Sequence, residues 1–181
     1  CPYELQRDVT RWADVIVCEY HYAFAPSASL LGIADEPGGD IVLLVDEAHG
    51  AHFTNRYGLP ATAVRLGADM VCHSAHKTLN ALTGAAYLHI ASDRVDINRV
   101  KRAIRMLHTT SPSYMIAASA DIARATLEEQ DYTDIIKECN EFKDAISEAG
   151  VRFLPNDDPT RLVLDFSEYG VTGFEIADIL S

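Results

Sequence analysis

Short apolar runs separated by loops fill the first half of the chain, and helical spacing takes over beyond residue 93. Trp12-Ala13-Asp14-Val15-Ile16-Val17-Cys18 reads as a buried strand, following a helical turn over 3–11. Pro26 and then Pro37-Gly38-Gly39-Asp40 punctuate a loop-rich connection. Strands are predicted over 41–46 and 68–73, with a helix between them over 60–66 that opens on Pro60. A further apolar strand is predicted over 85–91.

Three helices are predicted next. Residues 93–107 place Val95, Val100, Ile104 and Leu107 near helical spacing. Residues 113–129 are rich in alanine and read as a buried helix. Residues 132–149 are amphipathic and stop at Gly150, a natural C-terminal cap. Arg161 to Phe166 alternates like a strand, and Thr172 is placed to cap a last helix from Gly173. Strands alternating with helices predict an α/β layered fold with a mostly parallel sheet. Its site belongs at the carboxyl ends of the strands. Asn156-Asp157-Asp158-Pro159 is the expected hinge to a smaller unit.

Composition narrows the picture. With 48% apolar residues the 181-residue chain suits a soluble globular domain, or a large piece of one. Fifteen basic against 27 acidic residues leave a formal net charge of −12, which repels phosphate backbones and weakens any nucleic-acid reading. Cys1, Cys18, Cys72 and Cys139 are scattered without a CxxC pair, as expected of free thiols in a reducing cytoplasm. No apolar run reaches membrane-spanning length. The start at Cys1 and the end within a helix read as cut ends of a longer protein.

Two polar segments interrupt the apolar runs with chemistry. Asp46-Glu47-Ala48-His49-Gly50-Ala51-His52 closes one predicted strand, and Ser74-Ala75-His76-Lys77-Thr78 follows another. A carboxylate at one strand end and a lysine past the next can hold the two ends of one pyridoxal phosphate ring. A buried Asp46 would keep the pyridine nitrogen protonated, and the Lys77 amine would anchor the cofactor as an imine. Ser74 and His76 can donate to the phosphate. Ala48 is small enough to pack flat on the ring, and His49 can contact ring or substrate carboxylate. Other readings of the same residues are a solvated surface lysine, a helix-capping aspartate, and a zinc site on Asp46, His49 and His52.

From Val45 onward the chain resembles the ornithine/lysine/arginine decarboxylases, fold-type-I pyridoxal-phosphate enzymes. The resemblance is carried by Val45-Asp46-Glu47-Ala48-His49-Gly50-Ala51-His52-Phe53, Gly67-Ala68-Asp69, and Ser74-Ala75-His76-Lys77-Thr78-Leu79. It continues in Ala86-Tyr87-Leu88-His89, Thr109-Thr110-Ser111-Pro112-Ser113-Tyr114 and Asp158-Pro159-Thr160-Arg161-Leu162. The fold it implies is a partial PLP-transferase-like (aspartate aminotransferase-like) large domain over 45–155, with the start of a small domain over 156–181. Lys77 is then the Schiff-base lysine, Asp46 the pyridinium partner, Ala48 the ring-packing residue, and Ser74 and His76 the phosphate side. His49 lies by ring and substrate, and Ser111 reaches toward the cofactor of a neighbouring subunit in a homodimer. The implied activity is α-decarboxylation of a basic amino acid. The family's glycine- and serine-rich phosphate loop has no evident counterpart in residues 1–40, so the resemblance covers half a site.

Residues 1–44 read differently. Cys1-Pro2-Tyr3-Glu4 and Trp12 through Phe24 resemble iron–sulfur superfamily-two DNA helicases leading into their own Asp-Glu-Ala-His motif. There Asp46 would help bind magnesium and Glu47 would orient the attacking water. The chain has no Gly-x-x-x-x-Gly-Lys-Ser/Thr loop to cradle ATP. The two resemblances meet at residues 45–49, which suggests a chimera or, alternatively, a decarboxylase whose upstream strand has drifted.

Overall fold

The structure, a computed structural model, describes residues 41–53 and 56–181. The expected turn over 3–11, the strand over 12–18 and the loop that follows lie outside the described residues. A three-stranded sheet, β1 (Leu44–Asp46), β2 (Met70–His73) and β3 (Tyr87–Ile90), carries the polar segments at its ends. β1 and β2 run parallel, with Asp46 opposite Cys72. β2 and β3 run antiparallel, with His73 opposite Tyr87. Among the described residues the sheet has one parallel and one antiparallel pairing, where the sequence predicts a mostly parallel sheet. After β2 the chain makes one short helix, α1 (Ala75–Thr78), and turns back at Ala85, whose N–H donates to Leu82 O at 3.0 Å. β3 therefore starts at the end where β2 stops.

Alternation gives the sheet two unlike faces. Val45, Val71, His73, Tyr87 and His89 point to one side, where Val71 is fully buried with Ala63 and Ala68. Leu44, Asp46, Met70, Cys72, Leu88 and Ile90 point to the other, where Leu44 is 56% exposed and Asp46 is exposed.

The helix expected over 60–66 is not formed; residues 63–67 make turns instead. Ala68 N–H reaches back to Ala63 O at 2.9 Å, and Gly67 adopts φ +99°, which ends the turn before a second one can build. The remaining helices form close to expectation: α2 (Ile97–Leu107), α3 (Tyr114–Thr126, extended by a 3₁₀ turn over 127–129), α4 (Thr133–Glu148) and α5 (Gly173–Leu180). Asp96 caps α2 and Ser113 caps α3. Thr172 caps α5 in a reciprocal box with Glu175. A two-stranded antiparallel ribbon, β4 (Arg152–Phe153) and β5 (Leu164–Asp165), follows α4.

α3 is less buried than its alanine content suggests. Only Ala123 is buried, while Tyr114, Met115 and Ile122 are exposed. Alanines leave a narrow stripe, Ile116, Ala120, Ala123 and Leu127, which packs on Ala51, Ala75, Leu79 and Ala85. This packing seats the segment after β2 against α3. Leu82 N–H also donates to Ser119 Oγ at 3.0 Å. Among the described residues no helix is long and apolar enough to cross a membrane.

Candidate active site

The parallel pairing of β1 and β2 brings their carboxyl ends side by side. Two backbone bonds extend the pairing into the loops: Glu47 N–H to Cys72 O at 3.0 Å, and Ser74 N–H to Ala48 O at 3.2 Å. Asp46-Ala48-His49 and Ser74-His76-Lys77 thus stand side by side at one edge of the sheet. Asp46 is exposed rather than buried, a correction to the sequence expectation, and so is Leu44 on the same face. Its Oδ1 accepts Ala48 N–H at 3.0 Å, a local turn that fixes the carboxylate over the loop.

Lys77 stands exposed in the last turn of α1. Ser74 precedes that helix, and its hydroxyl makes no capping bond. His76 Nδ1 lies 3.0 Å from Ala85 O. A carbonyl only accepts, so Nδ1 carries a proton; Nε2 can donate to an anion only when the ring is an imidazolium. Thr78 Oγ1, next to Lys77, is buried without a hydrogen-bond partner among the described residues.

His49 is exposed, and its pKa is lowered by partial desolvation first, then by the charges of Lys77 and Arg161, against the opposing charge of Asp46. Those groups share one electrostatic neighbourhood. Arg161 arrives through a contact that sequence reasoning missed. Buried His52 lies 3.4 Å from Asp158 Oδ2 and 3.3 Å from Thr160 Oγ1 through Nε2. Its pKa is lowered by burial, with Asp158 opposing. A histidine in the Asp-Glu-Ala-His segment and an acid near the chain's end were the available signal, although nothing in the sequence pairs them.

The zinc alternative loses its geometry, since His52 is turned to Asp158 while His49 is exposed. Among the described residues no group of three His, Cys, Asp or Glu side chains could hold a metal ion. Ser111 sits exposed between α2 and α3, and its amide and hydroxyl meet Thr109 at 3.2 and 3.4 Å. No hydrogen bond joins it to the other candidate residues.

Comparison with known proteins places this geometry. The family model "Orn/Lys/Arg decarboxylase, major domain" matches residues 7–163. The chain belongs to the Orn/Lys/Arg decarboxylase family. It is 41% identical over 152 residues to the uncharacterized protein YaaO of Bacillus subtilis, covering 77% of this chain and 32% of that protein. It is 35% identical over 150 residues to an arginine decarboxylase of Bacillus cereus, covering 75% and 33%. It is 33% identical over 116 residues to the lysine decarboxylase LdcA of Pseudomonas aeruginosa, covering 59% and 15%. The chain spans about a third of the length of the Bacillus relatives. The family match starts at residue 7 and runs across residues 45–49, where the helicase resemblance was expected to join; no comparison shows a helicase.

Proposed function

We propose that this chain carries the lysine-bearing half of a pyridoxal-phosphate-dependent decarboxylase of basic amino acids: lysine, ornithine or arginine. The observation that carries the reading is the juxtaposition of Asp46 and Ala48 with Ser74, His76 and Lys77 at the hydrogen-bonded ends of two parallel strands. Relatives named arginine and lysine decarboxylase support the substrate class.

The residues present fit the cofactor. The Lys77 amine is exposed and can attach it covalently, the Ser74 hydroxyl makes no capping bond, and Ala48 carries only a methyl group. Bound there, pyridoxal phosphate supplies the electron sink that lets carbon dioxide leave the α-carbon. The chain's own task is placement. Asp46 offers a carboxylate to the ring nitrogen. His76, its Nδ1 held by Ala85 O, leaves Nε2 for the phosphate side. Arg161 gives the edge positive character toward the substrate carboxylate, and His49, its charged form disfavoured, offers a neutral ring beside it. In this reading Ser111 completes the site of a second subunit, so the working unit is a homodimer.

The test is a titration of the purified chain with pyridoxal phosphate, beside Lys77→Ala. A visible absorbance band, absent from the variant, and a borohydride-trapped mass increment on Lys77 are the expected results. A folded chain with no Lys77-dependent band overturns the proposal, and the family membership then records descent without this chemistry.

A further inference from the structure

Below the sheet, on the face opposite Asp46, three side chains from three strands or strand ends form a continuous chain. Glu47 Oε2 lies 2.7 Å from His73 Nε2. His73 Nδ1 lies 3.1 Å from His89 Nε2, with the two rings edge to face at 4.7 Å. Glu47 uses its second oxygen to accept Ala63 N–H at 3.0 Å. The His73 side chain is 6% exposed and that of Glu47 is 12%. None of these groups is used in the proposed chemistry. Yet Glu47 directly follows Asp46, and His73 directly precedes Ser74.

The donors and acceptors assign themselves. An ionised carboxylate only accepts, so His73 carries a proton on Nε2. With its single proton on Nε2, the His73 ring presents a lone pair at Nδ1. The atom facing that lone pair, His89 Nε2, must donate. Burial lowers the pKa of His89, the nearby His73 lowers it further, and Glu47 opposes; the net favours the neutral ring. Among the described residues, Tyr87 also faces the chain on this side; its ring is 6.0 Å from that of His89 and its hydroxyl donates to Ala120 O.

We infer that Glu47, His73 and His89 form a directional hydrogen-bonded relay, His89 to His73 to Glu47, which holds the two site-bearing strand ends in register. All three are positioning residues; none touches the cofactor site. Held through Glu47 and His73, the corner 46–49 and the segment 74–77 move as one unit. The register is further fixed by the Ala63 turn, which the same carboxylate grips. The link to cofactor binding rests on the proposed function, but the relay itself does not.

The experiment uses the cofactor-free chain, labelled with ¹⁵N at pH 8. Long-range proton–nitrogen spectra are expected to show both His73 and His89 protonated on Nε2; an Nδ1–H tautomer at either ring overturns the relay. Amide hydrogen exchange is then compared between the wild type, Glu47→Gln and His73→Gln. Loss of a charge-assisted bond is expected to speed exchange at the Glu47 and Ser74 amides by about tenfold or more. The amides of Asp69 and Met70, bonded to Leu43 O at the far end of the strands, are expected to change far less. Arg152→Ala, which removes a remote pair with Asp165 and Glu168, serves as the control for general destabilisation. Equal acceleration at both strand ends, or none, overturns the positioning role. Pyridoxal phosphate titration of the same proteins separates the two ideas. Local loosening without a Lys77-dependent band in the wild type leaves the relay standing and removes the cofactor reading. An unchanged Kd in both relay variants, where the wild type does bind, shows that the relay does not serve the site.

Discussion

Arg94→Ala tests what fixes the sheet on which the site depends. Asp69 is fully buried at the start of β2, and its carboxylate accepts Leu43 N–H at 2.8 Å and both Arg94 Nε and Nη2 at 3.0 Å. The same residue's backbone meets Leu43 O and Ala91 N–H, so one position ties the approach to β1 and the exit from β3. Burial alone would raise the Asp69 pKa. The bonds from Leu43, Ser92 and Arg94, with the Arg94 charge, overcome it and leave the value lowered. Removing one partner of a buried pair costs about 3–5 kcal/mol. Arg94 is 54% exposed, so water replaces part of its role and screening reduces the loss. The Leu43 and Ser92 donors also remain. The expected loss is therefore about 2–3 kcal/mol in urea unfolding followed by circular dichroism. At about 2–4 °C per kcal/mol for a chain of this size, Tm falls by roughly 5–10 °C. Asp69→Asn breaks the same pair but leaves no buried charge, and is expected to lose only about 1–2 kcal/mol. The sign with pH follows. A lowered Asp69 pKa contributes stability that is present above the ordinary carboxylate value and lost as pH falls through the folded one. Without Arg94 the folded value rises, so the deficit of Arg94→Ala is largest near neutrality and shrinks on acidification. A loss below about 0.5 kcal/mol for Arg94→Ala, or a larger loss for Asp69→Asn, refutes the buried-charge account.

Other perturbations have equally definite outcomes. His52 and His89 both have pKa values lowered chiefly by burial, so their neutral forms favour the fold above about pH 6.5, and stability drains away as pH drops below it. A urea midpoint that stays flat between pH 7.5 and 5.5 contradicts this. A Cβ at Gly50 would sit 2.5 Å from Glu47 Cγ and 2.8 Å from the Phe53 ring, so Gly50→Ala is expected to destabilise the chain by about 1–3 kcal/mol. Thr172→Ala dismantles the capping box and is expected to cost about 1 kcal/mol, read as faster amide exchange confined to the first turn of α5.

Much of the scaffold was legible because apolar runs and caps are local signals. The cores of all three strands and the bounds of α2, α4 and α5 follow from periodicity, Gly150 and Thr172. Direction and burial were not legible. An apolar run over 85–91 does not say whether the chain has crossed the sheet or turned back at Ala85, and the structure shows the turn. The alanines of α3 read as buried, yet an alanine stripe covers little area and leaves Tyr114, Met115 and Ile122 outside. The helix expected over 60–66 took Pro60 as a start signal but met Gly67 with φ +99° one turn later. For the site, the segments around Asp46 and Lys77 were visible as motifs. The partners beneath them were not: Glu47, His73 and His89 meet only through the register of three strands. His52 meets Asp158 across most of the chain.

The exposure of Asp46 separates two demands that the motif joins. Attachment needs a reachable amine, and Lys77 provides one on the open edge. Electron withdrawal needs the ring nitrogen to keep its proton, and there the surroundings of the carboxylate decide. Two unit charges at 4 Å attract by about 1 kcal/mol in water but about 4 kcal/mol at an effective dielectric of 20. That difference of roughly 3 kcal/mol is about two powers of ten in proton affinity. Exposed to water, Asp46 operates near the weaker limit. In the proposed reading, capture of pyridoxal phosphate by Lys77 is accordingly expected to outlast decarboxylation, because the exposed aspartate gives the ring nitrogen little support. Adding a cover to the Leu44–Asp46 face strengthens the second property without altering the first.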